Sequence, residues 1–276
     1  MAVVSVSGAR IHYEIRGDGP PVMLVAGTGY SGSTWHPRLC DALAARYRLI
    51  TFDHRGTGAS TPTDDDYTTR MFGEDAAAVI HAAGAGPVHL IGHSMGGRVA
   101  QRAYFSDPSL VRSLTLAASG AGAADPVPFE RVGIPIGAVR GMLRAGYEQY
   151  ICDKHRSNFF TAAFAKEHPD EVEWLDRAYL DSAPSTDDYL KHVRARQAHS
   201  TVAVLPSVTV PVLIVVGTAD THNGGTGSHL DSSYKLRNLV PNAQFVLIPG
   251  AKHGFMWENV DTSVSLFTSF IDSVDA

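Results

Sequence analysis

The chain has 276 residues, 44% hydrophobic and 18% charged, with 23 Lys plus Arg against 28 Asp plus Glu for a formal net charge of −5. That balance suits a globular domain, with or without an insertion, and excludes a disordered chain. The acidic excess, with no basic cluster, argues against a nucleic-acid or anionic-membrane partner, and no apolar run approaches the ~18 residues of a membrane-spanning helix.

The opening, MAVVSVSGARIHYEIRG, has neither the basic start nor the long apolar core of a secretory signal, so the expected location is cytoplasmic. Cys40 and Cys152 cannot build a disulfide framework and match no zinc spacing, so free thiols are expected. Val3 to Val6 and Arg10 to Arg16 alternate apolar and polar residues around Ser7-Gly8, as a hairpin does. Gly17 to Pro21 reads as a turn and Val22 to Val25 as a buried strand. A helix is expected from about Thr34 to Arg46 and a strand from Arg48 to Phe52, then the polar glycine loop Asp53 to Ser60, DHRGTGAS. Asp64 to Asp66 is a carboxylate run that a solvated loop and helix start accounts for. Tyr67 to Ala83 has apolar residues at helical spacing, Val88 to Ile91 is another buried strand, and Ser113 to Ala117 a further one.

This alternation predicts an α/β fold whose mostly parallel sheet is doubly wound by right-handed crossovers. The rhythm then stops. From about Ala121 to Leu205 come helical stretches rich in aromatics, among them Tyr147, Tyr150, Phe159, Phe160, Tyr179 and Tyr189. It resumes with a strand at Val212 to Val216, a helix near Ser228 to Leu239, a strand at Gln244 to Ile248 and a helix from Ser263 to Ser273. The expected organisation is a core of residues 1–120 and 206–276 with a helical cap, 121–205, inserted over one sheet edge. There is no internal repeat or low-complexity linker.

Val88 to Ala100 reads VHLIGHSMGGRVA: a strand stops at Gly92, Gly92-His93-Ser94-Met95-Gly96 fits G-x-S-x-G, and a small-residue helix follows. This predicts a strained strand-to-helix turn with Ser94 at its apex. A serine hydroxyl needs a base within reach, and the base needs an orienting group. Asp220 follows the Val212 strand in GTAD, and His253 follows the Gln244 strand in PGAKHG. Parallel strands put these loops on one edge, so Ser94, Asp220 and His253 are expected to converge as nucleophile, acid and base.

GHSMGG at Gly92 to Gly97, DHRGTGAS, GTAD and PGAKHG together make the chain resemble the α/β-hydrolase fold family over nearly its whole length. The resemblance implies that His253 takes the proton from Ser94 and later delivers it to the leaving group, while Asp220 orients the imidazole. It also implies an oxyanion hole from the backbone N–H groups of Met95 and Thr28, with Gly29 as an alternative to Thr28. Many relatives carry His-Gly where this chain has Ala26-Gly27, so the bracing of that loop must differ. Asp125 is the reserve acid, because some members place theirs near it. His222 and His229 match no common metal spacing and read better as loop or pocket-lining residues; neither metal nor cofactor is implied.

Gly27-Thr28-Gly29-Tyr30-Ser31-Gly32, with Asp53 at the end of the next strand, also fits a dinucleotide-binding fingerprint. Ser33, Trp35 and Pro37 continue it poorly as a helix, and a nicotinamide oxidoreductase is the minor reading. The expected function is a serine hydrolase cleaving a small, mostly apolar carboxylic ester or lactone, as a monomer or homodimer. Amide, thioester and carbon–carbon hydrolysis, a perhydrolase side activity and a receptor-like member with little turnover stay open. A serine at the elbow argues against dehalogenase and epoxide hydrolase chemistry, where the family uses aspartate.

Overall fold

Successive residues of the central strands point to opposite sides of one sheet, and each side is buried beneath its own helices. The structure, a computed structural model, describes residues 2–123, 136–221 and 228–276. Among them eight strands form one sheet: β1 (Ala2–Val6), β2 (Ala9–Arg16), β3 (Pro21–Val25), β4 (Arg48–Phe52), β5 (Val88–His93), β6 (Val111–Ala117), β7 (Val212–Gly217) and β8 (Gln244–Ile248). Their spatial order is β1-β2-β4-β3-β5-β6-β7-β8. The β1–β2 and β2–β4 pairs are antiparallel, and the rest are parallel. The helices are α1 (Pro37–Ala44), α2 (Thr69–Ala82), α3 (Met95–Ser106), α4 (Ile136–Lys154), α5 (Ala162–Glu167), α6 (Pro169–Leu180), α7 (Thr186–Gln197), α8 (His229–Leu239), α9 (Phe255–Glu258) and α10 (Val260–Asp275).

Val22 and Leu24 of β3 share a core with Leu39 and Leu43 of α1 and Phe267 and Ile271 of α10. Met23 and Val25 share the other with Phe72 and Val79 of α2, Val99 of α3 and Leu236 of α8. That is the period of two expected of a strand buried on both faces. α2 and α3 pack closely because Gly73 lies against Ala103, whose backbone nitrogen would sit 2.8 Å from an added Cβ.

The helix expected from Thr34 instead begins at Pro37. Gly32–Thr34 is a single 3-10 turn, Trp35 is extended, and His36 caps α1 by accepting from the Arg38 N–H. The physical reason is Pro37, which suits the first helical position and disfavours helix in the residue before it. The four-residue helix α9 is too short to leave a periodic pattern in the sequence. Between β6 and β7 the described residues form helices α4 to α7, a π-helical turn at His155–Phe159, a 3-10 turn at Leu205–Ser207 and one isolated bridge, Gly122 with Ser200. Phe159, Phe160, Leu175 and Tyr179 of this stretch join the core that holds α1 and α10. No helix of the described residues is long and apolar enough to cross a membrane.

Candidate active site

Ser94 stands between β5 and α3 with φ 56° and ψ −118°, a left-handed backbone on a residue that is not glycine. Its neighbours impose that turn. A Cβ on Gly96 would run into the Val25 carbonyl oxygen, and one on Gly92 into Gly96. The Ser94 N–H donates to Ala117 O at 2.8 Å, and the Ser119 hydroxyl donates to Ser94 O at 2.7 Å. The strained apex is thus held from β6 while α3 starts at Met95 beside it.

β7 and β8 are adjacent, and their C-terminal loops are tied together. Thr218 N–H donates to Ile248 O at 3.0 Å and Ala219 N–H to Ala251 O at 2.9 Å. The result is a 2.7 Å hydrogen bond from His253 Nδ1–H to Asp220 Oδ2. This tautomer leaves His253 Nε2 with the lone pair a base requires. Asp220 is only 1% exposed, and its other oxygen, Oδ1, has no partner among the described residues. His93, the variable residue before Ser94, donates Nε2–H to the His253 carbonyl at 2.9 Å. Gly254 N–H donates to Phe159 O at 2.8 Å, joining the histidine loop to the helical segment. The His253 ring stacks on His229, centroids 4.0 Å apart at 25°. Burial first, and then the nearby His253, push both His93 and His229 well below the ordinary histidine pKa, so both are neutral near pH 7.

The loop after β3 carries Gly27 and Thr28 into the same cavity. The backbone N–H groups of Thr28 and Met95 have no hydrogen-bond partner among the described residues. The Gly29 N–H is committed: it donates to His192 Nδ1 at 3.3 Å. His192, from α7, in turn donates Nε2–H to Arg55 O at 2.8 Å, and His54 donates Nε2–H to Ala26 O at 2.9 Å. Burial pushes His54 down to about 3 and His192 to about 4, so each is the neutral tautomer these bonds need. The bracing that a His-Gly pair would supply within the loop therefore comes from two histidines outside it.

Asp53 has no free carboxylate for a ribose. Its Oδ1 accepts from Gly32 N–H at 2.8 Å, and its Oδ2 from Ala59 N–H at 2.9 Å and His12 Nδ1–H at 3.0 Å. It is the knot tying two loops together, and α1 does not begin until Pro37.

A cavity of about 340 Å³ is lined by Thr28, Ser94, Asp220, His229 and His253 together with residues of the helical segment. Of that segment's aromatics, Tyr150, Phe159 and Tyr189 reach the cavity. Tyr30 lines it too, its hydroxyl donating to His155 Nε2 at 2.7 Å while His155 Nδ1–H donates to Asp176 at 2.6 Å. Asp220, His229 and His253 hold one donor atom each within 4.8 Å of one another, a set able to hold a metal ion. Of the two histidines weighed for a metal, His229 lines the cavity; His222 and the reserve acid Asp125 lie outside the described residues. Sequence reasoning missed Lys154, Arg196, His192 and His155. All four lie on helical turns where nothing in the local pattern distinguishes a residue that lines the cavity, as Lys154 and Arg196 do, or one buried behind it, as His192 and His155 are, from a solvated one.

Residues 20–260 match a family model described as alpha/beta hydrolase fold. "Putative carbamate hydrolase RutD" of Azorhizobium caulinodans is 28% identical over 268 residues, 97% of each chain. Two solved structures share the fold: a thermophilic esterase from Thermogutta terrifontis and the enol-lactonase from Burkholderia xenovorans LB400. The esterase has a TM-score of 0.83 at 23% identity, covering 99% of this chain and 97% of its own. The enol-lactonase has a TM-score of 0.83 at 20% identity, covering 98% of this chain and 100% of its own.

Proposed function

The chain belongs to the alpha/beta hydrolase fold family, and from that premise we propose that it is a serine hydrolase acting on small carboxylic esters or lactones through an acyl-enzyme on Ser94. The observation that carries this reading is the 2.7 Å bond between His253 and buried Asp220, in the cavity onto which the strained Ser94 opens. His253 Nε2 takes the Ser94 proton as Oγ attacks the carbonyl carbon, and the cation formed is stabilised by Asp220. Negative charge develops on the carbonyl oxygen, which the free N–H groups of Thr28 and Met95 hold; each such donor is worth about 3 kcal/mol of barrier. His253 then protonates the departing alkoxide, and water, activated by the same base, releases the acid. Residues 121–205 act as the cap in this proposal, walling the cavity with Tyr150, Phe159 and Tyr189.

The test is pre-steady-state release of nitrophenol from short- and long-chain nitrophenyl esters, with a carbamate and a lactone alongside. A burst followed by turnover is expected, and Ser94→Ala should lower kcat by at least about 10⁴-fold. A variant that kept its rate would remove Ser94 from the mechanism. A burst without turnover would favour a receptor-like member of the fold.

A further inference from the structure

Two cations line the proposed active-site cavity, Lys154 at the end of α4 and Arg196 near the end of α7. Both side chains are half-buried, and neither makes a hydrogen bond or ion pair to any described residue. Other cations of the fold are matched: Arg55 with Asp75, Arg156 with Asp176, Arg46 with Asp272. The Lys154 ammonium lies over the rings of Tyr30 and Tyr189, 5.8 and 5.9 Å from their centroids. Arg196 is near enough to repel it, and burial with that repulsion holds Lys154 below the usual lysine range. The carboxylates in the cavity wall do not answer this charge. Asp220 is bound to His253, and Asp153 is exposed and accepts from Gln149 Nε2 at 2.7 Å.

Two like charges brought together partly out of water, with no counterion among the described residues, are costly to fold. Such an arrangement gains its compensation only when an anion enters and accepts from both. A planar guanidinium beside a flexible ammonium suits a carboxylate, and the ring faces of Tyr30 and Tyr189 hold the ammonium while the site is empty.

We propose that Lys154 and Arg196 form a subsite for a carboxylate of the substrate, remote from the bond that is cleaved. The substrate class is then a half-ester of a small dicarboxylic acid, or a lactone bearing a free carboxylate. This rests on the serine-hydrolase reading and adds to it. The remote carboxylate stays ionised and takes no part in bond making. The acyl C–O bond breaks, water adds across it, and the products are a dicarboxylate and an alcohol, or a hydroxy acid from the lactone. The expectation of a mostly apolar substrate is thereby narrowed to a short apolar chain with an anionic end.

The experiment compares kcat/KM for the nitrophenyl half-esters of succinic, glutaric and adipic acids with nitrophenyl esters of matched chain length ending in methyl, after subtracting spontaneous hydrolysis. The wild-type enzyme should favour at least one half-ester over its neutral match by about tenfold or more. That ratio should collapse in Lys154→Met and in Arg196→Met, and persist in Lys154→Arg. Raising the salt concentration should reduce it in the wild type, a readout that needs no variant to fold. A wild-type enzyme that turns over the neutral esters but disfavours every half-ester overturns the subsite while leaving the hydrolase intact. A ratio unmoved by both methionine variants does the same. No turnover of any ester, with no burst, would instead defeat the hydrolase reading itself.

Discussion

His192 shows how one side chain can position a loop of the candidate active site from a distant helix. Its ring accepts from Gly29 N–H and donates to Arg55 O, bridging the loops that follow β3 and β4. Holding Gly29 fixes the neighbouring Thr28 N–H, which the proposed mechanism needs aimed at a developing oxyanion. His192→Phe keeps a ring of similar shape but loses both bonds. The expected result is a fall in kcat of about tenfold to a hundredfold, less than deletion of a whole donor, with KM changed much less. Steady-state kinetics on a nitrophenyl ester checks this. A lower melting temperature with kcat unchanged would mean that His192 only supports the fold.

Where a residue pattern is local, the elements were readable in advance. β4 and β8 run over the residues their apolar content predicted, Arg48–Phe52 and Gln244–Ile248. The glycine pattern around Ser94 likewise specifies a turn from local residues alone, because Gly92 and Gly96 are needed where backbone meets backbone. His192, Lys154 and Arg196 were not readable, since each matters through contacts with elements far away in the chain. Gly29 and His192, for instance, are 163 residues apart. The tight packing makes an element-level test. In Gly96→Ala the new methyl meets the carbonyls of Val25, the last residue of β3, and Ala26, the first of the loop after it, both backbone that cannot rotate aside like a side chain. Turnover should be lost and the melting temperature should drop by several degrees or more. Gly84→Ala is the control: its φ of 59° strains an alanine, but nothing lies within 4 Å of the added Cβ. It should cost only about 1 kcal/mol and leave kcat unchanged. Damage in Gly96→Ala no greater than in Gly84→Ala would show that the close approach of β3 and α3 does not dictate glycine at the elbow.

The whole molecule carries a seam of neutral histidines between the sheet and the helical segment. His54 follows β4, His93 ends β5 and His229 begins α8 after β7, while His155, His192 and His199 come from the segment between β6 and β7. Burial lowers the pKa of all six, to about 3 for His54 and about 4 for His192. In the unfolded chain each would titrate near ~6.5. Below that value the unfolded state binds protons that the native state refuses, so stability falls as pH falls, and it keeps falling until the native pKa values are reached. For His54 and His192 the slope is about 1.4 kcal/mol per pH unit each, or about 2 kcal/mol each by pH 5. For these two alone the loss by pH 5 is about 4 kcal/mol, close to the lower end of the roughly 5–15 kcal/mol that folds a typical domain, and the other four histidines act in the same direction. The protein should therefore unfold cooperatively near about pH 5, before most of its carboxylates are protonated. Far-UV circular dichroism and tryptophan fluorescence followed against pH should change together and steeply, with several protons taken up. His199→Gln should make the transition shallower by about one proton. Native spectra persisting at pH 4 would mean that the seam admits water and charges its histidines without coming apart.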